Sequence, residues 1–230
     1  MSLPTLNELP KYELTLPSTG KKIKFRPYLV KEEKVLMMAA ESKDTVQIMD
    51  AVIDTVSACV SNNVDVSKLT TFDLEYLFIK LRAKSVGEKA NLNIKCKSCE
   101  HENPYELNLD DIRCESAPRN NIIDLDEKIS VQMRYPSYMD LKDVDDEGEM
   151  GFNILASSLE AVFVDEERID IEDETEDSIR RFLESMTREQ FKKVSSFLFD
   201  IPKVACDIDF DCTKCGEHTH IELRGIQDFF

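Results

Sequence analysis

Two cysteine pairs carry the chemistry that this sequence can do: Cys96-Lys97-Ser98-Cys99 and, 116 residues further on, Cys212-Thr213-Lys214-Cys215. Two cysteines separated by two residues can turn both thiolates toward one ion. Two such turns brought together supply the four soft ligands of a tetrahedral zinc site. Short alternating runs flank each pair, Leu92-Asn93-Ile94-Lys95 and Tyr105-Glu106-Leu107-Asn108-Leu109 around the first, Asp207-Ile208-Asp209-Phe210 and Ile221-Glu222-Leu223 around the second. The pattern is strand, tight turn, strand, twice. Cys96, Cys99, Cys212 and Cys215 are therefore the expected ligands of one structural Zn2+. Iron–sulfur binding stays open as another use of the same sulfurs. His101, His218 and His220 lie beside the pairs, so two smaller half-sites with mixed Cys and His ligands also stay open.

Other cysteine chemistry fits less well. Seven cysteines in 230 residues are sparse and odd in number, and no secretory leader precedes them, which argues against a disulfide framework. A thioredoxin-like dithiol opens a helix, whereas Pro104 and the alternation after Cys99 point to strand. Cys59, Cys114 and Cys206 are expected to be ordinary small core residues.

No catalytic residues are expected. The chain has no Gly-rich phosphate loop, no nucleophile motif and no His-Glu helix motif of the metalloprotease kind. A deaminase-type zinc site needs a His-x-Glu partner ahead of its Cys pair, but Glu102 directly follows His101, and His220-Ile221-Glu222, which has the spacing, comes after both Cys pairs. Four cysteines also leave no open coordination position. Asp143 to Gly148 imitates the start of an EF-hand loop, yet position 12 falls on Ile154, so a polar turn is expected there. The acidic tract from Asp165 to Asp177 is expected to be a solvated loop.

The net charge of −17 would repel a polyanion, so a protein partner is favoured over nucleic acid. Five basic residues between Lys21 and Lys31 keep an alternative alive, a cellular zinc-ribbon adaptor that touches nucleic acid with the Lys21 to Lys34 region as its basic face. No apolar run approaches the roughly 20 residues that cross a bilayer, so no membrane span is expected, and the expected compartment is reducing cytosol.

The elements that must position the cysteines follow from periodicity. Tyr12 to Leu16 and Lys22 to Arg26 alternate around a turn containing Gly20, a β-hairpin closed by Pro27. Helices are predicted over Lys31 to Ala40, then after Ser42 until Asn62-Asn63, then from an N-cap at Thr71 to about Ser85. In the third, Leu74, Leu77, Phe78 and Leu81 form the core stripe. Phe72, Tyr76 and Ile79 lie off it, either covered within the fold or free for a partner. The second half gives a strand from Lys128 to Arg134, helices over Glu149 to Phe163 and Glu176 to Met186, and a helix capped by Thr187. Thr71 precedes Cys96 by 25 residues and Thr187 precedes Cys212 by the same 25. The expectation is an α+β fold of internally duplicated hairpin and helical halves, 1–115 and 116–230, joined by a zinc-ribbon-like four-cysteine site.

The run from Leu16 to Lys34, Leu-Pro-Ser-Thr-Gly-Lys-Lys-Ile-Lys-Phe-Arg-Pro-Tyr-Leu-Val-Lys-Glu-Glu-Lys, resembles the opening of a baseplate hub family of T-even-type contractile-tailed bacteriophages. The two Cys turns look like the same family's pattern. The resemblance implies a non-enzymatic role in building the central tail hub, as a hub subunit or as a chaperone-like assembly factor. It also implies other baseplate hub proteins as partners, oligomerisation within the hub, and a place in the host cytoplasm during assembly or in the virion baseplate.

Overall fold

The computed structural model describes residues 9–61, 64–115, 117, 121–142, 150–165 and 167–226. In chain order come β1 (Tyr12–Thr15), β2 (Lys22–Phe25), α1 (Val30–Ser42), α2 (Thr45–Cys59), a 3-10 turn (Val66–Lys68), α3 (Thr71–Ser85), β3 (Lys89–Lys95), β4 (Glu102–Asn108) and β5 (Arg113–Cys114). They are followed by β6 (Ile122–Asp124), β7 (Ile129–Met133), α4 (Tyr138–Lys142), α5 (Met150–Ser157), β8 (Leu159–Val164), β9 (Glu167–Asp170), a second 3-10 turn (Ile171–Asp173), α6 (Glu176–Glu184), α7 (Arg188–Phe199), β10 (Val204–Asp211) and β11 (His218–Arg224).

The chain forms two compact units. Unit one takes the described residues of Met1–Val66, Phe72–Ser116 and Lys203–Phe230, and unit two takes those of Ser67–Thr71 and Ala117–Pro202. The chain passes from unit one to unit two near residue 116. The closing strands β10 and β11, however, belong with the first Cys hairpin instead of with the segment that precedes them. The reason is backbone pairing: Val204 and Ala205 of β10 bond Cys114 and Arg113 of β5, giving a three-stranded sheet in the order β11-β10-β5.

Unit one is built around α3. Leu74, Leu77, Phe78 and Leu81 are buried as the stripe requires, but so are Phe72 at 2% and Ile79 at 0% exposed. Phe72 and Ile79, off the stripe, are therefore covered within this chain, while Tyr76 stays half-buried. Burial extends to Asp73, whose carboxylate accepts from the backbone N–H and hydroxyl of Ser18 in the turn between β1 and β2. In that turn Gly20 takes φ 70°, and Leu16 and Lys21 close the loop at 2.9 Å. Arg26 then fixes the exit from the hairpin. Its guanidinium donates to Glu32 Oε1, to the Ala58 carbonyl and to the Pro27 carbonyl, each at 2.9 Å. Glu32 is only 6% exposed, and its other oxygen accepts the Leu29 N–H at 2.8 Å, which caps the start of α1. The Arg26-Pro27 to Glu32 stretch thus works as a clip joining hairpin, α1 and the end of α2.

Unit two is a four-stranded antiparallel sheet, β6-β7-β8-β9, packed on α5, α6 and α7. Val131, Met133, Leu155, Leu159, Leu183 and Val194 form its core. Thr187 caps α7 as expected, its hydroxyl accepting from Gln190 N and Gln190 reaching back. Arg134 donates to both oxygens of Asp140 at 2.9 and 2.7 Å, which ties β7 to α4.

Three sequence expectations need correcting or bounding. The helix expected over Glu149 to Phe163 ends at Ser157, and Leu159–Val164 is strand β8. Ser158 turns the chain, its N–H and hydroxyl both bonding the Ile154 carbonyl. Val162, Phe163 and Val164 then pair with Val131, Ser130 and Ile129, where branched and aromatic side chains sit better than on a helix. The acidic tract is not a plain loop, since it includes β9, a 3-10 turn and the start of α6. The Asp143 to Gly148 turn, Asn62-Asn63 and Glu149 lie outside the described residues.

Leu77 and Met37 test this packing. Truncating fully buried Leu77 to Ala should cost about 2–5 kcal/mol, read as a lower urea midpoint. Met37 is 59% exposed on α1, and Met37→Ala should stay within about 0.5 kcal/mol of wild type.

Candidate metal centre

The strands around each cysteine pair fold as antiparallel hairpins with matching registers. Ile94 faces Asn103 and Lys95 faces Glu102 across β3–β4, while Phe210 faces Thr219 and Asp211 faces His218 across β10–β11. The turns match as well. Cys96 N donates to the His101 carbonyl at 2.9 Å and accepts, through its own carbonyl, from Glu100 N at 3.0 Å. Cys212 makes the same pair of bonds with Glu217 and Gly216, both at 2.9 Å. The residue after the second cysteine is left-handed in both turns, Glu100 at φ 56° and Gly216 at φ 72°. Glycine takes that conformation freely. A glutamate there works against its own Cβ.

Both hairpins lie in unit one, and their turns meet. Cys96 Sγ is 3.7 Å from Cys215 Sγ, and Cys99 Sγ is 3.7 Å from Cys212 Sγ. All four sulfurs lie within 4.8 Å of one another. Four sulfurs at about 2.3 Å from a tetrahedral ion stand about 3.8 Å apart. The observed approaches match that cage, and they are far too long for disulfide bonds. Cys96 and Cys212 are buried, Cys99 is half-buried and Cys215 is exposed.

The electrostatics favour thiolates at the first cysteine of each turn. Backbone N–H groups of Cys99 and Ser98 lower the Cys96 pKa. Those of Cys215 and Lys214, helped by the Asn103 side-chain amide, hold Cys212 down to about 6. Cys215 accepts from the Glu217 N–H, but the neighbouring sulfurs of Cys99, Cys212 and Cys96, together with desolvation, push it up to about 12. Sulfurs this close cannot all ionise unless a cation lies among them.

The remaining cysteines are not drawn in. Burial raises Cys59 to about 11, and burial with Asp73 and Glu75 nearby raises Cys114 to about 12, so both are inert thiols. The histidines are engaged elsewhere too. His218 Nδ1 lies 2.9 Å from Asp211 and His220 Nδ1 3.0 Å from Asp209, on the exposed face of β10–β11. Among the described residues, the group placed to share an ion is the four cysteines.

Three residues that sequence reasoning passed over complete the site. Lys97 Nζ donates to the His220 carbonyl at 2.8 Å, crossing from one hairpin to the other. Asn103, 2% exposed, accepts from the backbone N–H and hydroxyl of Thr213, both at 2.9 Å. The signal for Asn103 was available: it occupies an inward register on a strand whose other inward positions are Tyr105 and Leu107.

A family model described as T4 bacteriophage base plate protein matches residues 9–230, a span that takes in the N-terminal clip and both Cys hairpins. The chain belongs to that family. Membership implies a structural role in the phage tail baseplate and contacts with other baseplate proteins. No curated protein and no solved structure matches the chain. No helix among the described residues of this baseplate protein is long and apolar enough to cross a membrane.

The two turns differ at the left-handed position, which gives a direct test. Glu100→Gly should raise stability by up to about 1 kcal/mol and Gly216→Ala should lower it by about 1 kcal/mol. Thermal unfolding of the two variants beside wild type measures both.

Proposed function

We propose that this baseplate protein serves the central hub of the tail, as a hub subunit or as a hub-assembly chaperone, and acts through protein–protein contacts around a structural Zn2+. The observation that carries this reading is the family match over residues 9–230. The surface supports it. Val30, Met37 and Met38 of α1 are 66%, 59% and 71% exposed, apolar side chains of the kind that subunit contacts use. A cleft of about 1150 Å3 in unit two is lined in part by charges that already hold partners, such as Arg134 with Asp140 and Arg168 with Asp170. That lining supports docking over catalysis.

For the ion, four soft donors on a cage of zinc size support Zn2+ held by Cys96, Cys99, Cys212 and Cys215. An iron–sulfur cluster would have to sit inside the sulfur cage, and a cage under 4.8 Å across is too tight for one. Without an open coordination position the metal would be structural, joining β3–β4 to β10–β11 and adding binding free energy on the order of 10 kcal/mol to folding. The matched registers and turns of the two hairpins support an ancestral duplication that gave each half one Cys turn.

The alternative of a cellular adaptor that reads nucleic acid loses ground to the family match and to the net charge of −17. The chain is assigned no nucleic-acid partner, and it meets its hub partners in the host cytoplasm during assembly.

Two experiments bear on this. Elemental analysis should find one zinc per chain, lost in Cys96→Ser and Cys212→Ser and kept in Cys59→Ser and Cys114→Ser; iron in place of zinc, or metal retained without Cys212, would count against the site. Affinity purification from infected cells should recover baseplate hub proteins with the chain, and mass spectrometry of purified virions separates subunit from chaperone. A monomeric, partnerless chain in the lysate would overturn the hub role.

A further inference from the structure

Asn103 reaches further into the metal centre than a buried asparagine needs to. It belongs to β4, on the first hairpin, yet most of its bonds secure the second. Its Oδ1 takes the backbone N–H and the hydroxyl of Thr213, the residue that follows Cys212, both at 2.9 Å. Its Nδ2 lies 3.7 Å from Cys212 Sγ, while bonding the His101 carbonyl of its own turn at 2.9 Å and standing 3.5 Å from the Ile94 carbonyl. One planar amide therefore binds the turn of one hairpin with its oxygen and a candidate ligand with its nitrogen. Burial of a side-chain amide requires partners, and backbone groups alone would satisfy that requirement. An N–H aimed at a sulfur does something more, because it draws charge off a thiolate and fixes the direction of its lone pairs.

The opposite hairpin has no counterpart. Thr219 holds the register position that Asn103 holds, facing Phe210 as Asn103 faces Ile94. It is similarly buried, at 3% exposed, but its hydroxyl finds no hydrogen-bond partner among the described residues. Two hairpins of nearly the same backbone thus deliver different outer shells, and the amide support is concentrated on Cys212.

We propose that Asn103 is the positioning residue of the metal centre, orienting the Cys212 thiolate and coupling metal binding to the pairing of the two hairpins. The inference rests on the reading of the four cysteines as a metal site. Four thiolates around a divalent ion leave a net charge of about −2, which the Asn103 N–H helps to disperse at Cys212. Replacing that N–H by a carboxylate oxygen sets a further negative charge against the sulfur. The two acceptor bonds to Thr213 survive the change.

Asn103→Asp in the full-length chain, compared with wild type and with Leu107→Ala, tests the assignment. Leu107 is on the same strand and 3% exposed, so its truncation reports structural loss without touching a sulfur. In competition with a chromophoric chelator, Asn103→Asp should bind Zn2+ about 10–100-fold more weakly than wild type. In Co2+-loaded protein its sulfur-to-cobalt charge-transfer band should shift, whereas Leu107→Ala should leave that band in place. A measurement on wild type alone avoids any folding defect: in 113Cd-loaded protein, the Asn103 side-chain amide proton should show scalar coupling to the metal through the sulfur. Wild type that binds metal without this coupling, or with Asn103→Asp within twofold in affinity, overturns the role of Asn103 and leaves the metal site standing. A wild-type chain that binds none of the three ions overturns the metal reading and, with it, the role of Asn103.

Discussion

The meeting of two Cys turns 116 residues apart in sequence constrains how β3–β4 and β10–β11 come together in unit one. For Cys96 and Cys99 to face Cys215 and Cys212, the chain must leave unit one at residue 116, complete unit two, and return at residue 203 to pair β10 with β5. The return is held by backbone bonds to Arg113 and Cys114, by the Lys97 bridge to the His220 carbonyl and by the ring contact of Tyr105 with Phe210 at 6.5 Å. These bring the sulfurs together, but none of them lessens the mutual repulsion of thiolates at 3.7 Å. An ion of the right size does, which is why the geometry of the hairpins and the chemistry of their tips point the same way.

The site was more legible in the sequence than the fold around it. The Cys-x-x-Cys spacing constrains the turns locally, and the alternating runs beside it set the strands, so the clustering of the four cysteines could be read without tertiary knowledge. What escaped was whatever depends on a neighbour. Leu159 and Val162 fit a helical stripe as well as a strand, and pairing with β7 decided between them. Strand β5 is two residues long and exists because β10 returns to it. The inward register of Asn103 was readable, but its partner Thr213, 110 residues away, was not. The burial of Phe72 and Ile79 likewise depends on packing against more than one face of α3, which a single-stripe pattern does not encode. By contrast the caps at Thr187 and the turn at Gly20 are local, and both were readable.

The N-terminal run that carries the family resemblance has a physical basis. Arg26, Pro27, Leu29 and Glu32 form the clip that ends the first hairpin and starts α1, with Glu32 nearly buried between a guanidinium and a backbone N–H. Substitution of either charged partner would strand the other in a poorly solvated place. The clip also fixes where α1 begins, and α1 is the element that sets Val30, Met37 and Met38 outward. A surface of that composition on a chain otherwise rich in carboxylates suits a protein that works inside a larger particle.

The discontinuity of unit one also dictates an order of events during synthesis. Unit two is drawn almost wholly from the continuous stretch Ala117–Pro202, so most of its residues have emerged before β10 exists. Until residues 203–226 have been made, β5 lacks its partner β10, and Cys96 and Cys99 lack the sulfurs of Cys215 and Cys212. During that interval the nascent chain carries an incomplete sulfur cluster and an open sheet edge, and the arrival of residues 203–226 completes the one and covers the other.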